Sequence, residues 1–217
     1  MTAPTLRRRR CVPCRLAAFA GTVLLLAACG GGGGGDDTLV GYRIEPLRDV
    51  GTFTVEAASA GNEPFSIRAD PGRLLVVFLG FTNCPDACPT ALAEVRQAIN
   101  RLGADAEPLD VAMLTVDPTR DTPDVHTAYV RGFVDRGIAL RTDDTDELRQ
   151  IADAFGAEYD TAHDHTGATT DVGHTDQTYL VDANGDIIVT WTADMTTDDL
   201  EHDLRIVLDD LHQGTNP

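Results

Sequence analysis

The chain has no lysine: all 17 of its basic residues are arginine, set against 35 aspartates and glutamates, for a formal net charge of −18. Five of those arginines (Arg7, Arg8, Arg9, Arg10 and Arg15) crowd the N-terminus, leaving 12 against 35, or −23, for the rest. Such a body repels a phosphate backbone, so nucleic-acid binding is disfavoured outright. Long hydrophobic runs are also missing. The apolar stretch from Leu16 to Ala28 covers 13 residues, short of the roughly 20 that a membrane-spanning helix needs. No internal repeat, phosphate-binding loop, Ser-His-Asp order or HExxH motif stands out. Cysteine is scarce, and beyond residue 29 only Cys84 and Cys88 remain. A chain of 217 residues has room for one ordinary domain with a real core, and one site is expected in it.

The N-terminus reads as a leader. Arg7 to Arg10 precede the short apolar run with no acidic residue among the first 28, the pattern of an export signal, with Sec and twin-arginine routes both open. The run ends Leu26-Ala27-Ala28-Cys29, which resembles the lipobox of bacterial lipoproteins, where Cys29 would carry the lipid. Cys11 and Cys14 would then leave with the signal. Six glycines, Gly30 to Gly35, follow as a flexible tether. The expected organisation is a signal over residues 1–28, a lipid-anchored tether over 29–41 and a folded domain over 42–217.

Within that domain, β-prone pieces at Gly51 to Glu56 and Pro64 to Arg68 suggest a hairpin. Leu74 to Leu79 is a continuous apolar run after Pro71-Gly72, the mark of a strand buried on both faces. Leu92, Val95, Ile99 and Leu102 recur at helical spacing, predicting a helix from Pro89 to Leu102 closed by Gly103. The alternation continues with a strand at Val111 to Val116, a helix at Pro123 to Val134, a strand at Ile138 to Leu140 and a helix at Thr145 to Phe155. Strands at Gln177 to Val181 and Asp186 to Trp191 flank an Asn184-Gly185 turn, and a helix from Thr197 to Leu211 follows. This order is that of an α/β, thioredoxin-like fold: a central mixed sheet flanked by helices, with an N-terminal β-hairpin extension.

The chemistry gathers at Cys84-Pro85-Asp86-Ala87-Cys88-Pro89. Two thiols four residues apart at a helix start come to one face, where the positive helix end favours thiolates. Two thiolates select soft or borderline metals, and an imidazole completing the set suits copper better than zinc, which prefers four ligands. The same spacing also fits a plain disulfide in an oxidising compartment. Asp86 either tunes the site or simply favours the helix dipole. Asp117 and Arg120 lie just past the C-terminal end of a strand, where α/β folds gather functional groups, yet an Asp-Pro turn and a helix start at Thr122-Pro123 explain the same residues structurally. His126, His202 and His212 fall on predicted helices without ligand-spaced partners.

Phe78-Leu-Gly-Phe-Thr-Asn-Cys84-Pro-Asp-Ala-Cys88-Pro-Thr resembles the core motif of the SCO/SenC family, copper chaperones that help build the CuA centre of cytochrome c oxidase. Leu114-Thr-Val-Asp117-Pro-Thr-Arg120-Asp121-Thr-Pro123 and Gly173-His174-Thr-Asp-Gln-Thr-Tyr179-Leu-Val-Asp182 resemble two further family blocks, over about residues 50 to 212 in all. The resemblance implies a copper site made of Cys84, Cys88 and His174. It also implies the CuA subunit as acceptor and a copper donor; loading needs reduced thiols and hence a thiol reductant, and the leader with Cys29 suggests a lipid anchor on the outer face of the bacterial cytoplasmic membrane. The chain departs from the family at Gly173, where an acidic residue is common, and in a longer loop whose His163 and His165 are either auxiliary ligands or merely solvated. A metallochaperone needs no turnover chemistry. The competing reading is an enzyme, a thiol–disulfide oxidoreductase reducing acceptor cysteines, for which the extra residue over Cys-x-x-Cys and the presence of His174 are unneeded.

Overall fold

Leu74–Gly80 is buried along its whole length, and the molecule is built around it. This strand, β3, follows a short hairpin of β1 (Thr54–Ala57) and β2 (Glu63–Ser66). Then come α1 (Ala87–Leu102), β4 (Leu109–Thr115), α2 (Pro123–Phe133), β5 (Ile138–Arg141), α3 (Thr145–Phe155), β6 (Thr178–Val181), β7 (Ile187–Trp191) and α4 (Thr197–Gln213). The computed structural model describes residues 38–159 and 176–214.

The seven strands form one mixed sheet in the order β2-β1-β5-β4-β3-β6-β7. β3, β4 and β5 run parallel, while β6 and β7 at one end and the β1–β2 hairpin at the other run antiparallel to their neighbours. The hairpin therefore widens the sheet through β1 on β5. Successive side chains of a strand point to opposite faces. Leu74 and Val76 join Val95, Ala98 and Leu102 of α1 and Leu204 and Val207 of α4 in one apolar layer. Leu75, Val77 and Leu79 join Val130 of α2 and Leu148, Ile151 and Phe155 of α3 in the other. Two such layers explain why β3 reads as an unbroken apolar run.

Local chemistry sets the helix ends. Asp144 accepts from the N–H groups of Asp146 and Glu147 to start α3, and Gly156, at φ 70°, ends it. Thr196 and Asp199 form a reciprocal capping box on α4. Near the N-terminus, the buried Asp203 carboxylate accepts from the N–H groups of Val40 (2.9 Å) and Gly41 (2.7 Å) and from the Trp191 indole (2.8 Å), holding the incoming chain against β7. Among the described residues no helix is long and apolar enough to cross a membrane.

One buried polar group ties stability to pH. His126 on α2 is fully buried, and neither ring nitrogen has a hydrogen-bond partner among the described residues. Burial, then the nearby positive charge of Arg141, pushes its pKa down to about 4. The unfolded chain accepts this proton near pH 6.5 and the folded one only near pH 4. The neutral ring therefore contributes stability that is complete above pH 6.5 and falls away toward pH 4. Urea unfolding at pH 7 and pH 5 is expected to show a wild-type loss about 2 kcal/mol greater than that of His126→Leu; equal losses would contradict this assignment.

Candidate metal centre

The parallel strand β3 delivers the chain to the end of the sheet where α1 begins, and both cysteines lie in that turn. Cys84 N–H donates to the Phe81 carbonyl at 3.3 Å. Cys88 N–H, in the first turn of α1, donates to the Cys84 sulfur at 3.3 Å. Asp86 is the N-cap residue but makes no side-chain capping bond. The Cys84 sulfur thus takes one of the amide groups that a helix start leaves without an intrahelical partner, and it faces the positive end of α1. Only Cys88 is helical; Cys84 reaches it by folding back from the loop. α1 begins at Ala87 rather than Pro89, since a proline fits anywhere in a first turn, where its missing N–H costs no intrahelical bond.

Cys84 is half-buried and Cys88 buried. Their environments differ more than sequence suggests. Burial pushes the Cys88 thiol well above its ordinary range; the hydrogen bond with Cys84 and the charges of Cys84 and Asp176 add to this, while the Phe81 backbone opposes it. The expectation that the helix end activates both thiols is therefore corrected for Cys88, whose thiol burial raises. Cys88 holds its proton at neutral pH until something displaces it. Its sulfur rests on Gly80, where an added Cβ would lie 2.8 Å from the sulfur and 2.5 Å from the Phe78 ring. A larger residue at position 80 would claim the space the thiol occupies.

A buried carboxylate fixes the turn from behind. Asp121, fully buried, accepts from Thr82 N–H at 3.0 Å, from the Thr82 hydroxyl at 2.5 Å and from the Thr115 hydroxyl of β4 at 2.5 Å. The loop entering the cysteine motif is thus tied to the end of the neighbouring parallel strand. Beside it, Asp117 is buried and ion-paired to Arg120, whose guanidinium lies 5.7 Å from the centre of the Phe81 ring. These two residues support the turn through Phe81. Tyr129 of α2 packs on the same apolar cluster as Cys84; burial raises its phenol, and the charges of Cys88, Cys84 and Asp121 raise it further. Its buried hydroxyl has no hydrogen-bond partner among the described residues.

Asp86 is exposed at the mouth of the turn, its carboxylate 3.5 Å from the Thr90 hydroxyl. His202 is half-buried, with its ring 3.2 Å from the Thr38 carbonyl, and His212 is exposed. Cys29, His163, His165 and His174 lie outside the described residues. Among the described residues no three His, Cys, Asp or Glu side chains gather as a metal-holding group, so the cysteines stand there as a pair. Asp121 and Gly80 are the residues that sequence reasoning passed over. An aspartate before Thr-Pro reads as a turn residue, and its partner Thr82 is 39 positions away.

Removing the Asp121 carboxylate takes the acceptor from the half-buried Thr82 and the buried Thr115. Asp121→Ala is expected to lower unfolding stability by about 2–3 kcal/mol, with Asp121→Asn costing less because one acceptor oxygen remains. Urea denaturation of both variants decides it; an unchanged midpoint in Asp121→Ala would remove the clamp from the account.

The model of the SCO1/SenC family matches residues 51–209. A protein of Stutzerimonas stutzeri named for copper binding is 31% identical over 156 residues, which cover 71% of this chain and 76% of the relative. Among solved structures, apo Sco1 of Thermus thermophilus superposes with a TM-score of 0.67 at 28% identity, covering 78% of this chain and 97% of that one. ScoI of Bradyrhizobium japonicum with copper bound gives 0.60 at 25% identity, over 70% and 95% of the two chains. The fold is thus the thioredoxin-like one expected. With a family match across most of its length and relatives sharing both sequence and fold, the chain belongs to the SCO1/SenC family.

Proposed function

We propose that the chain is a copper-binding metallochaperone in which Cys84, Cys88 and His174 hold copper and pass it by ligand exchange to the CuA site of cytochrome c oxidase. The observation that carries this is the convergence of two chain segments on the cysteine turn. Thr178 pairs with Phe78, so the strand entered just after His174 begins beside the strand that delivers Cys84. Asp176, two residues past His174, acts by its charge on the Cys88 thiol. His174 is four residues from Thr178, a reach of up to about 14 Å of extended chain.

The donor chemistry fits. Two sulfurs at a helix start and one imidazole make a soft three-donor set suited to copper as cargo. Copper displaces the proton that burial keeps on Cys88, so loading releases protons and apparent affinity rises with pH. The thiols must be reduced first, which calls for a reductant and a copper donor as partners beside the CuA subunit. The leader and Cys29 support export and a lipid anchor on the outer face of the cytoplasmic membrane, with the glycine run as tether. His163 and His165 would be auxiliary donors at most.

A second reading has its own observation in its favour, the pairing of a half-buried Cys84 with a buried Cys88. In that reading Cys84 attacks an acceptor disulfide, Cys88 displaces the product thiol, and two electrons leave the pair as it closes to a disulfide. The reading gives His174 no role.

Anaerobic copper titration of the reduced protein separates the two. One tightly held copper per chain is expected, lost or weakened by at least about tenfold in Cys88→Ser and His174→Ala. Binding indifferent to His174→Ala would refute the three-donor site, and weak binding beside fast disulfide exchange would favour the oxidoreductase. In cells, Cys29→Ser is expected to move the protein out of the membrane fraction; retention there would remove the lipid anchor.

A further inference from the structure

The chain enters the domain as a strap along the outer edge of β7. Tyr42 and Thr190 exchange both backbone hydrogen bonds, at 3.0 and 2.8 Å, and further along Ile187 N–H donates to the Arg48 carbonyl at 2.9 Å. Just before Tyr42, the buried Asp203 carboxylate accepts from the Val40 and Gly41 N–H groups. An added Cβ at Gly41 would lie 2.7 Å from the Trp191 indole. The backbone on both sides of Tyr42 is therefore held to the body of the domain.

From this fixed point the Tyr42 side chain meets the segment that enters β6. Its hydroxyl accepts from the Gln177 amide nitrogen at 2.7 Å, while the Gln177 amide oxygen accepts from the Tyr179 hydroxyl at 2.9 Å. Tyr179 is fully buried on β6, its ring centre 4.8 Å from that of Phe155. Both ends of one amide are thus braced, one by the core and one by the strap.

The place of this brace in the chain gives it a role. Gln177 stands just before β6 and three residues after His174. Trp191, Thr178 and Phe78 lie in one row across the sheet, at the end where β3 leads into the cysteine turn. The sheet itself does not require the brace, since β6 is paired with β3 and with β7 from Thr178 onward. What the brace changes is the stem of His174. It brings the last fixed residue one position closer and sets the side on which the chain leaves β6 toward Asp176, whose charge acts on the Cys88 thiol. A shorter, directed stem confines the imidazole to a smaller volume, so less freedom is lost when the ring takes its place on copper.

We infer that Tyr42 and Gln177 are positioning residues for the copper site: the strap holds Gln177, and Gln177 holds the stem from which His174 is presented to Cys84 and Cys88. The inference rests on the metallochaperone reading with His174 as a ligand, and it makes the N-terminal strap a working part of the site.

Tyr42→Phe removes the hydroxyl alone, and Gln177→Leu removes both bonds of the amide. Each is made in the full chain, once with His174 and once with His174→Ala. The Cu(I) affinity of the reduced protein is then read anaerobically against a competing chelator. With His174 present, each variant is expected to bind Cu(I) about fivefold more weakly than the wild type, the scale of one lost hydrogen bond. In the His174→Ala background neither is expected to change the affinity, because the group being positioned is gone. A loss of equal size in both backgrounds would assign the brace to the fold and overturn the inference, as would no loss in either. An affinity indifferent to His174→Ala itself would overturn the three-donor reading beneath, and the inference with it.

Discussion

Cys88 is pressed against Gly80, the last residue of a strand buried along its whole length, and the rest of the site is arranged around that contact. Any side chain at position 80 would collide with the Cys88 sulfur and with the Phe78 ring. The sulfur of the neighbouring Cys84 accepts a hydrogen bond from the Cys88 N–H, so the turn itself holds the two cysteines together. Preorganisation of this kind means that a ligand gains its binding energy without first ordering its donors. Burial brings a second consequence, since Cys88 holds its proton more firmly than a surface thiol would. A thiol whose burial disfavours the thiolate is less suited to being an idle nucleophile.

The loop's rigidity comes from buried polar groups. Asp121 joins the loop before Cys84 to the end of β4, and Arg120, paired with Asp117, lies over Phe81 in the same loop. Buried carboxylates are stabilising only when their lone pairs are matched, and Asp121 has three donors. On the other side, β6 enters beside β3, bringing Asp176 toward Cys88. Two segments far apart in the chain meet at one end of the sheet because β3 is central and pairs with both β4 and β6.

Much of this was legible in the chain. The α3 bounds, Thr145–Phe155, follow from the Asp144 cap and the Gly156 stop, both local signals. The closing hairpin follows from Asn184-Gly185, with Gly185 at φ 94°. β4 runs Leu109–Thr115 instead of Val111 to Val116, because its ends are fixed by pairing with β3 and not by its own composition. Where the N-terminal hairpin joins the sheet was not legible, since Glu56 pairs with Arg141 far along the chain. At the site, the cysteine pair announced itself by spacing and motif. The Asp121 clamp, the glycine under Cys88 and the upward push on its thiol are tertiary facts, made by residues distant in sequence or by burial alone.

The central claim is that Cys84, Cys88 and His174 together hold one copper. X-ray absorption spectroscopy on the copper-loaded protein, with the wild type and His174→Ala compared, addresses it directly. The account predicts two sulfur neighbours and one imidazole nitrogen in the wild type, with the imidazole scattering lost in the variant and both sulfurs retained. A wild-type spectrum with one sulfur, or imidazole scattering unchanged by His174→Ala, would contradict it.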